Sequence, residues 1–310
     1  MELVQQGFKQ TEVGLIPEDW EVLKIGDSLS FKNGLNKASE YFGYGTPIIN
    51  YMDVYRYGGI TKLDIQGKVS LTNDEIKNFS AKKGDVFFTR TSETQDEIGM
   101  SAVLLDEIPN CVFSGFVLRG RPFNNLVDYE YYQYCLIPNY VRKQIISRSS
   151  YTTRALTNGR HLAEIKIILP KNSKEQQAIA KALSDVDALI SSLDGLIAKK
   201  KAIKQGAMQQ LLTPPSKGGK RLLGFDGEWG EKMLGDVCNI NMGQSPLSSN
   251  YNTEGKGLPL VQGNADIKKR KTIIRNYTSQ ITKTADKGDI IMSVRAPVGE
   301  IAYSAFKCCI

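Results

Sequence analysis

The chain has 310 residues, enough for about two domains with sizeable cores. With 41% hydrophobic and 24% charged residues it is an ordinary globular mixture, which excludes global disorder. Lys and Arg number 40 against 33 Asp and Glu, and the resulting charge of +7 favours polyanionic partners, nucleic acid before acidic membrane.

The opening Met1 to Lys9 lacks the basic stretch, apolar block and cleavage site of a signal peptide. Further on, Gly84-Asp85 is a turn signal feeding a β-rich run, Val86-Phe87-Phe88-Thr89. Val117 to Gly120 reads as another strand, and Asp128 to Ile137, with four tyrosines at 129, 131, 132 and 134, as a helix broken at Pro138. The helical spacing of those tyrosines favours packing over base stacking. Pro170 closes a strand-like run from Ile165 to Leu169. Ser173-Lys174-Glu175-Gln176 then offers a capping box, and residues 174 to 212 can form one helix of roughly 58 Å at ~1.5 Å per residue.

Apolar residues along that helix recur at sevens: Ile179, Val186 and Leu193; Ala182, Leu189, Leu196 and Ile203; Leu183, Ile190 and Ile197. Such a stripe needs a partner helix, since exposed apolar surface costs about 25 cal/mol per Å². Ile179, Leu183, Val186, Ile190, Leu193 and Ile197 are the expected packing residues, and Lys199, Lys200, Lys201 and Lys204 lie largely outside the stripe. Gly195 and Gly206 weaken the helix locally, and Pro214-Pro215-Ser216-Lys217-Gly218-Gly219 ends it. After this linker, Gly288-Asp289 feeds Ile290-Ile291-Met292-Ser293 as Gly84-Asp85 feeds its strand. No apolar run approaches membrane-spanning length. Cys111, Cys135, Cys238, Cys308 and Cys309 form no CxxC pair, so reduced thiols in a cytoplasmic protein are expected.

The sequence before the helix recurs after it. Trp20 with Gly26-Asp27 matches Trp229 with Gly235-Asp236; Pro47-Ile48-Ile49 matches Pro259-Leu260-Val261; Lys83-Gly84-Asp85-Val86 matches Lys287-Gly288-Asp289-Ile290. Ile98-Gly99 with Ala102 matches Val298-Gly299 with Ala302, and Cys111-Val112 matches Cys309-Ile310. Five matches in one order are a duplication. The second copy stops where the first continues for roughly one hundred residues more, so the second domain and its own long helix are expected to be incomplete. The expected organisation is a first domain over 1–170, a long helix over 171–213, a linker over 214–224 and an incomplete second domain over 225–310. Each domain is expected to be α+β, with a twisted, mostly antiparallel sheet and a helical side.

Several stretches resemble the specificity subunits of type I restriction–modification systems. Thr11-Glu12-Val13-Gly14-Leu15-Ile16-Pro17-Glu18-Asp19-Trp20 is similar to that family's usual start. Lys83 to Arg90 and Gly288 to Gly299 resemble its strand-and-loop motif. Leu169-Pro170, then Glu175-Gln176-Gln177-Ala178-Ile179-Ala180, and Gln209-Gln210-Leu211-Leu212-Thr213 resemble its central conserved region. The resemblance implies two homologous target-recognition domains, each reading half of a bipartite double-stranded DNA site, with a coiled-coil-type helix between them. It also implies partner subunits: modification subunits supplying S-adenosylmethionine chemistry, and restriction subunits using ATP and Mg. With one helix missing, two copies of this chain are expected to pair through the helix they have.

Catalytic and metal-binding residues are not expected. P-loop and Asn/Asp-Pro-Pro-Tyr/Phe motifs are lacking, and His161 is the single histidine. Glu164-Ile165-Lys166 has the Glu-x-Lys spacing of some metal-dependent nucleases, a weak three-residue signal. DNA readout needs cations for phosphates and planar donors for base edges on exposed loops. The candidates are Arg90, Thr91 and Ser92 after the first strand; Thr152, Arg154, Asn158 and Arg160 in a polar, turn-rich stretch; Lys268, Lys269 and Arg270 in the densest basic run; and Arg295 in the second copy's loop. Arg90 and Arg295 either grip guanine or tie their loops to the domain, and the basic run either meets phosphate or forms a solvated hairpin face. The alternatives to a DNA-reading subunit are a free-standing nuclease or methyltransferase, and an inactive fragment or assembly adaptor.

Overall fold

The duplicated Gly-Asp turns seed the same local structure twice. Gly84 adopts φ +86° and Gly288 φ +97°, the left-handed region that a side chain disfavours. The following carboxylate folds back each time: the Lys82 amide donates to Asp85 Oδ2 and the Asp286 amide to Asp289 Oδ2, both at 2.8 Å. A strand starts directly after each turn, Val86–Thr89 and Ile290–Met292. These turns belong to two separate units, Met1–Ala207 and Met208–Ile310. The computed structural model describes residues 6–56, 58–295 and 297–310.

In the first unit Val86–Thr89 is the middle of a five-stranded sheet. It lies between Val117–Pro122 and Ser101–Leu104, both antiparallel to it; Leu29–Asn33 flanks the former antiparallel, and Gly59–Ile60 flanks the latter in parallel. The side chains alternate as a strand requires. Val86 and Phe88 enter one core with Ile25, Leu29, Tyr131, Tyr132 and Ile145, while Phe87 enters another with Ile49, Val54, Ile60 and Phe113. Both faces are therefore covered, and Val86, Phe87 and Phe88 are fully buried. The expected single twisted sheet is instead several small ones. A second, three-stranded sheet pairs Phe42–Ile49 in parallel with Val112–Phe113 and antiparallel with Lys68–Val69, and a ribbon pairs Trp20–Lys24 with Lys166–Pro170.

The tyrosine-rich segment is the helix Tyr129–Cys135, capped by the Asp128 carboxylate accepting from the Glu130 amide. Tyr131 and Tyr132 are buried, and their hydroxyls donate to the Ile168 carbonyl at 3.1 Å and to Ser28 Oγ at 2.6 Å. The helix ends before Pro138, as expected. Pro138 also occupies the cap position of a further helix, Asn139–Arg148, where a missing N–H costs no hydrogen bond.

The long helix is one element, Ser173–Leu211, of 39 residues and so about 58 Å. Its cap differs from the expected box. Asn172 Oδ1 accepts from the Lys174 amide at 3.0 Å, and Gln176 turns inward. Buried, the Gln176 amide group donates to the carbonyls of Leu126 and Pro170 and accepts from the Asp128 amide at 2.7 Å. With Ala180 buried and Ile179 against the core, the first two turns are locked onto the first unit. Leu183, Val186, Leu189, Ile190, Leu193, Leu196, Ile197 and Ile203 are exposed. Among the described residues no helix is long and apolar enough to cross a membrane.

The second unit repeats the first unit's pairings. Ile290–Met292 runs antiparallel to Ile301–Tyr303 as Val86–Thr89 does to Ser101–Leu104, and Leu260 pairs in parallel with Cys309 as Ile48 does with Val112. Ser80 bridges Val112, and Thr284 pairs with Cys309. These registers move the last sequence match by one residue: Cys111-Val112 corresponds to Cys308-Cys309, both buried in a strand. Among the described residues of this unit, Ile290–Met292 has one strand partner where Val86–Thr89 has two, and Ile290 and Met292 are exposed.

Candidate nucleic-acid interface

One hydroxyl closes the base of each candidate reading loop. Thr89 Oγ1, fully buried, accepts from the Met100 amide at 2.9 Å and donates to the Glu97 carbonyl at 3.2 Å. Backbone bonds Thr89 N to Met100 O and Gly99 N to Thr89 O complete the closure. Ser293 does the same in the second unit. Its Oγ accepts from the Glu300 amide at 3.0 Å and donates to the Pro297 carbonyl at 2.6 Å, and backbone bonds join Ser293 N to Glu300 O and Gly299 N to Ser293 O. Gly99 and Gly299 both have positive φ at the return. The loops held between these clamps differ in length, residues 90–98 against 294–298.

Arg90 leaves the first clamp with its backbone fixed on both sides: its amide donates to the Phe116 carbonyl at 3.1 Å, and its carbonyl accepts from Thr157 at 3.0 Å. The half-buried guanidinium makes one long contact, 3.5 Å to the Gly115 carbonyl. Thr91–Ser92 then pairs with Ala155–Leu156, which pairs with Ser150–Tyr151. This small sheet joins two stretches that are sixty residues apart in the sequence, so Arg90, Thr91, Thr152 and Arg154 share one region. Thr152 and Arg154 are exposed in its turn. Ser92 lies beneath the surface: it is buried, and its hydroxyl donates to Glu97 Oε2 at 3.3 Å. Asn158 is the cap of the short helix Gly159–Ala163, accepting from the His161 amide at 3.0 Å. Arg160 is exposed beside Phe31, Lys32 and Asn33 on a shallow cleft of about 560 Å³.

A narrower cleft of about 380 Å³ opens where this sheet meets the helix Tyr51–Arg56. Tyr51 and Tyr55 stack with ring centroids 6.0 Å apart, and the Tyr55 hydroxyl donates to Glu97 Oε1 at 2.7 Å. That bond, with others from Thr94 and Ser92, holds the Glu97 carboxyl below the usual carboxylate range. The same bond pushes the Tyr55 phenol up. Composition gave no hint of Tyr55, Glu97 or Phe116; the available signal was the i, i+4 tyrosine pair, which places two rings on one helix face.

In the second unit the basic run is a hairpin: Ile267–Lys268 pairs with Lys271–Thr272, leaving Lys269 and Arg270 as a two-residue turn. Both have positive φ, 51° and 61°, unusual for residues with side chains and the geometry of a type I′ turn. Lys268, Lys269 and Arg270 are exposed. Arg275 is 3.6 Å from Asp266 Oδ1, while Arg295 is exposed in the clamped loop. The Glu-x-Lys motif is taken up by ion pairs: Glu164 with Lys24 and Lys166 with Glu12, each at 2.7 Å. Among the described residues no group of three or more His, Cys, Asp or Glu is arranged to hold a metal ion.

The type I restriction modification DNA specificity domain family matches residues 17–202 and 226–310. A putative type I restriction enzyme MjaX specificity subunit of Methanocaldococcus jannaschii is 33% identical over 325 residues, covering 99% of this chain and 73% of that protein. The MjaIX specificity subunit of the same organism is 27% identical, covering 82% of this chain and 60% of its own length. In fold, the chain resembles one from a study of complex assembly and conformational transition of the type I R-M system (TM-score 0.56, 23% identity, 95% of this chain and 74% of that chain). It also resembles the type I restriction–modification S subunit from M. genitalium (TM-score 0.53, 18% identity, 94% and 70%). The chain belongs to the type I restriction–modification DNA specificity family, as a specificity subunit that recognises DNA sequence.

Proposed function

We propose that this chain directs the methyltransferase and restriction subunits of a type I complex to a bipartite DNA site, each unit reading one half. The observation that carries this reading is the repeated clamp. Two related units each hold a loop shut with a buried hydroxyl and carry exposed cations nearby, Arg154 in the first and Arg295 in the second. In this reading Arg90, Thr91, Thr152, Arg154 and Arg160 serve the first half-site, and Lys268, Lys269, Arg270 and Arg295 the second. Phosphate contacts by such cations set register, and base-edge contacts from the loops set sequence. The chain does no chemistry of its own; S-adenosylmethionine, ATP and Mg act on its partners, in the cytoplasm. The ion pairs that engage Glu164 and Lys166 weigh against a nuclease centre at that motif.

The exposed helix stripe supports one further partner, a second copy of the chain. A seven-residue apolar repeat is self-complementary, and a two-fold pair of such helices would cover both stripes. Long-read methylation mapping of a host carrying the chain with its methyltransferase tests the main proposal. A bipartite methylated motif that disappears when the chain is deleted is expected; methylation that persists unchanged defeats the reading.

A further inference from the structure

Resting on the DNA-reading function proposed above, we infer that the cleft beside Tyr51 and Tyr55 is the base-reading surface of the first unit. In it Phe116 meets a thymine methyl and Glu93 accepts from a cytosine amino group. Two features of the cleft select base edges over phosphates. The first is Phe116, whose backbone is pinned by the Arg90 amide at 3.1 Å while its side chain stays 63% exposed. A fixed backbone bearing an exposed ring is a preorganised apolar probe, and in the major groove the apolar feature is the C5-methyl of thymine.

The second feature is negative charge. Glu93 and Glu97 line the same cleft as Arg154. Carboxylates pressed onto a phosphate backbone repel it, so they belong where DNA offers donors. In the major groove the cytosine N4 amine is such a donor, and Asp or Glu is its natural acceptor. Glu97 is fixed in the cleft by hydrogen bonds from Tyr55 and Ser92. Glu93 is exposed at the mouth, on the residue after the Thr91–Ser92 strand, which is held in register by Ala155–Leu156. The stacked Tyr51 and Tyr55 rings line the same cleft as both readers. Arg154 at the rim supplies the cation that offsets the acids as the duplex approaches.

The test is selection from randomised duplex DNA by the full chain purified with its methyltransferase, comparing wild type with Phe116→Ala and Glu93→Gln. Both sites are exposed, so folding is expected to survive, and thermal unfolding checks it. Phe116→Ala should lose about tenfold in preference for thymine at one position of one half-site. Glu93→Gln should move one position from cytosine toward adenine, which Gln reads bidentately. The other half-site should be unchanged in both. Folded variants that select the wild-type motif overturn this inference and leave the DNA-reading function intact, as do folded variants that weaken binding equally at every sequence. A folded wild-type complex that selects no motif overturns both.

Discussion

Thr89 shows how much one side chain organises. Its hydroxyl both donates and accepts inside a fully buried site, so removing it leaves the Met100 amide and the Glu97 carbonyl without that partner. Thr89→Val, nearly isosteric, is expected to cost about 1–3 kcal/mol in denaturant unfolding. Thr89→Ser keeps the hydroxyl and should recover most of that, since Ser293 fills the same role in the second unit. A Val variant as stable as wild type would show that the clamp adds no stability. The sequence made the Gly-Asp turns and the loop cations visible because residue type dictates turn geometry and charge. It could not reveal that Tyr55 supports the Glu97 carboxylate, because that contact joins residues 42 positions apart, or that Ser92 is buried beside it, because that depends on which face of a two-residue strand points inward.

Among the elements, the long helix was the most legible. Its heptad pattern and bounding prolines gave its extent within one residue at each end. What the pattern missed was the cap. Spacing puts Gln176 in a capping box, yet three hydrogen bonds pull it into the first unit, a choice decided by tertiary contacts with Leu126, Asp128 and Pro170. The helix Asn139–Arg148 has no sequence signal of its own, because Pro138, which follows one helix, also sits at the cap of the next, where no N–H is needed. Gly195 and Gly206 lie in the helix with no atom within 4 Å of an added Cβ. Gly195→Ala and Gly206→Ala are each expected to stabilise it by up to about 1 kcal/mol, read as greater resistance to denaturant by circular dichroism. No gain would mean that helix propensity does not limit this element.

For the whole molecule, the duplication carried most of the fold. Matching turns and strands predicted matching sheets, and the pairings agree down to a one-residue correction at Cys308-Cys309. The partition into small sheets was less legible, because strands of two or three residues leave too short a pattern to read. Pairing of two copies belongs to this scale. Analytical ultracentrifugation is expected to show a dimer, and Leu189→Lys with Leu196→Lys, both exposed on the stripe, should shift it to monomer while far-UV dichroism is retained. A wild-type chain that sediments as monomer with its helix intact would exclude that pairing.

Closing each loop with one hydroxyl and a few backbone bonds fixes the loop's base whatever its length. Stretches as different in length as 90–98 and 294–298 start and end on the same frame, so loop length can change while the frame persists. On the proposed reading, a new target preference needs a new loop on this frame and no new fold.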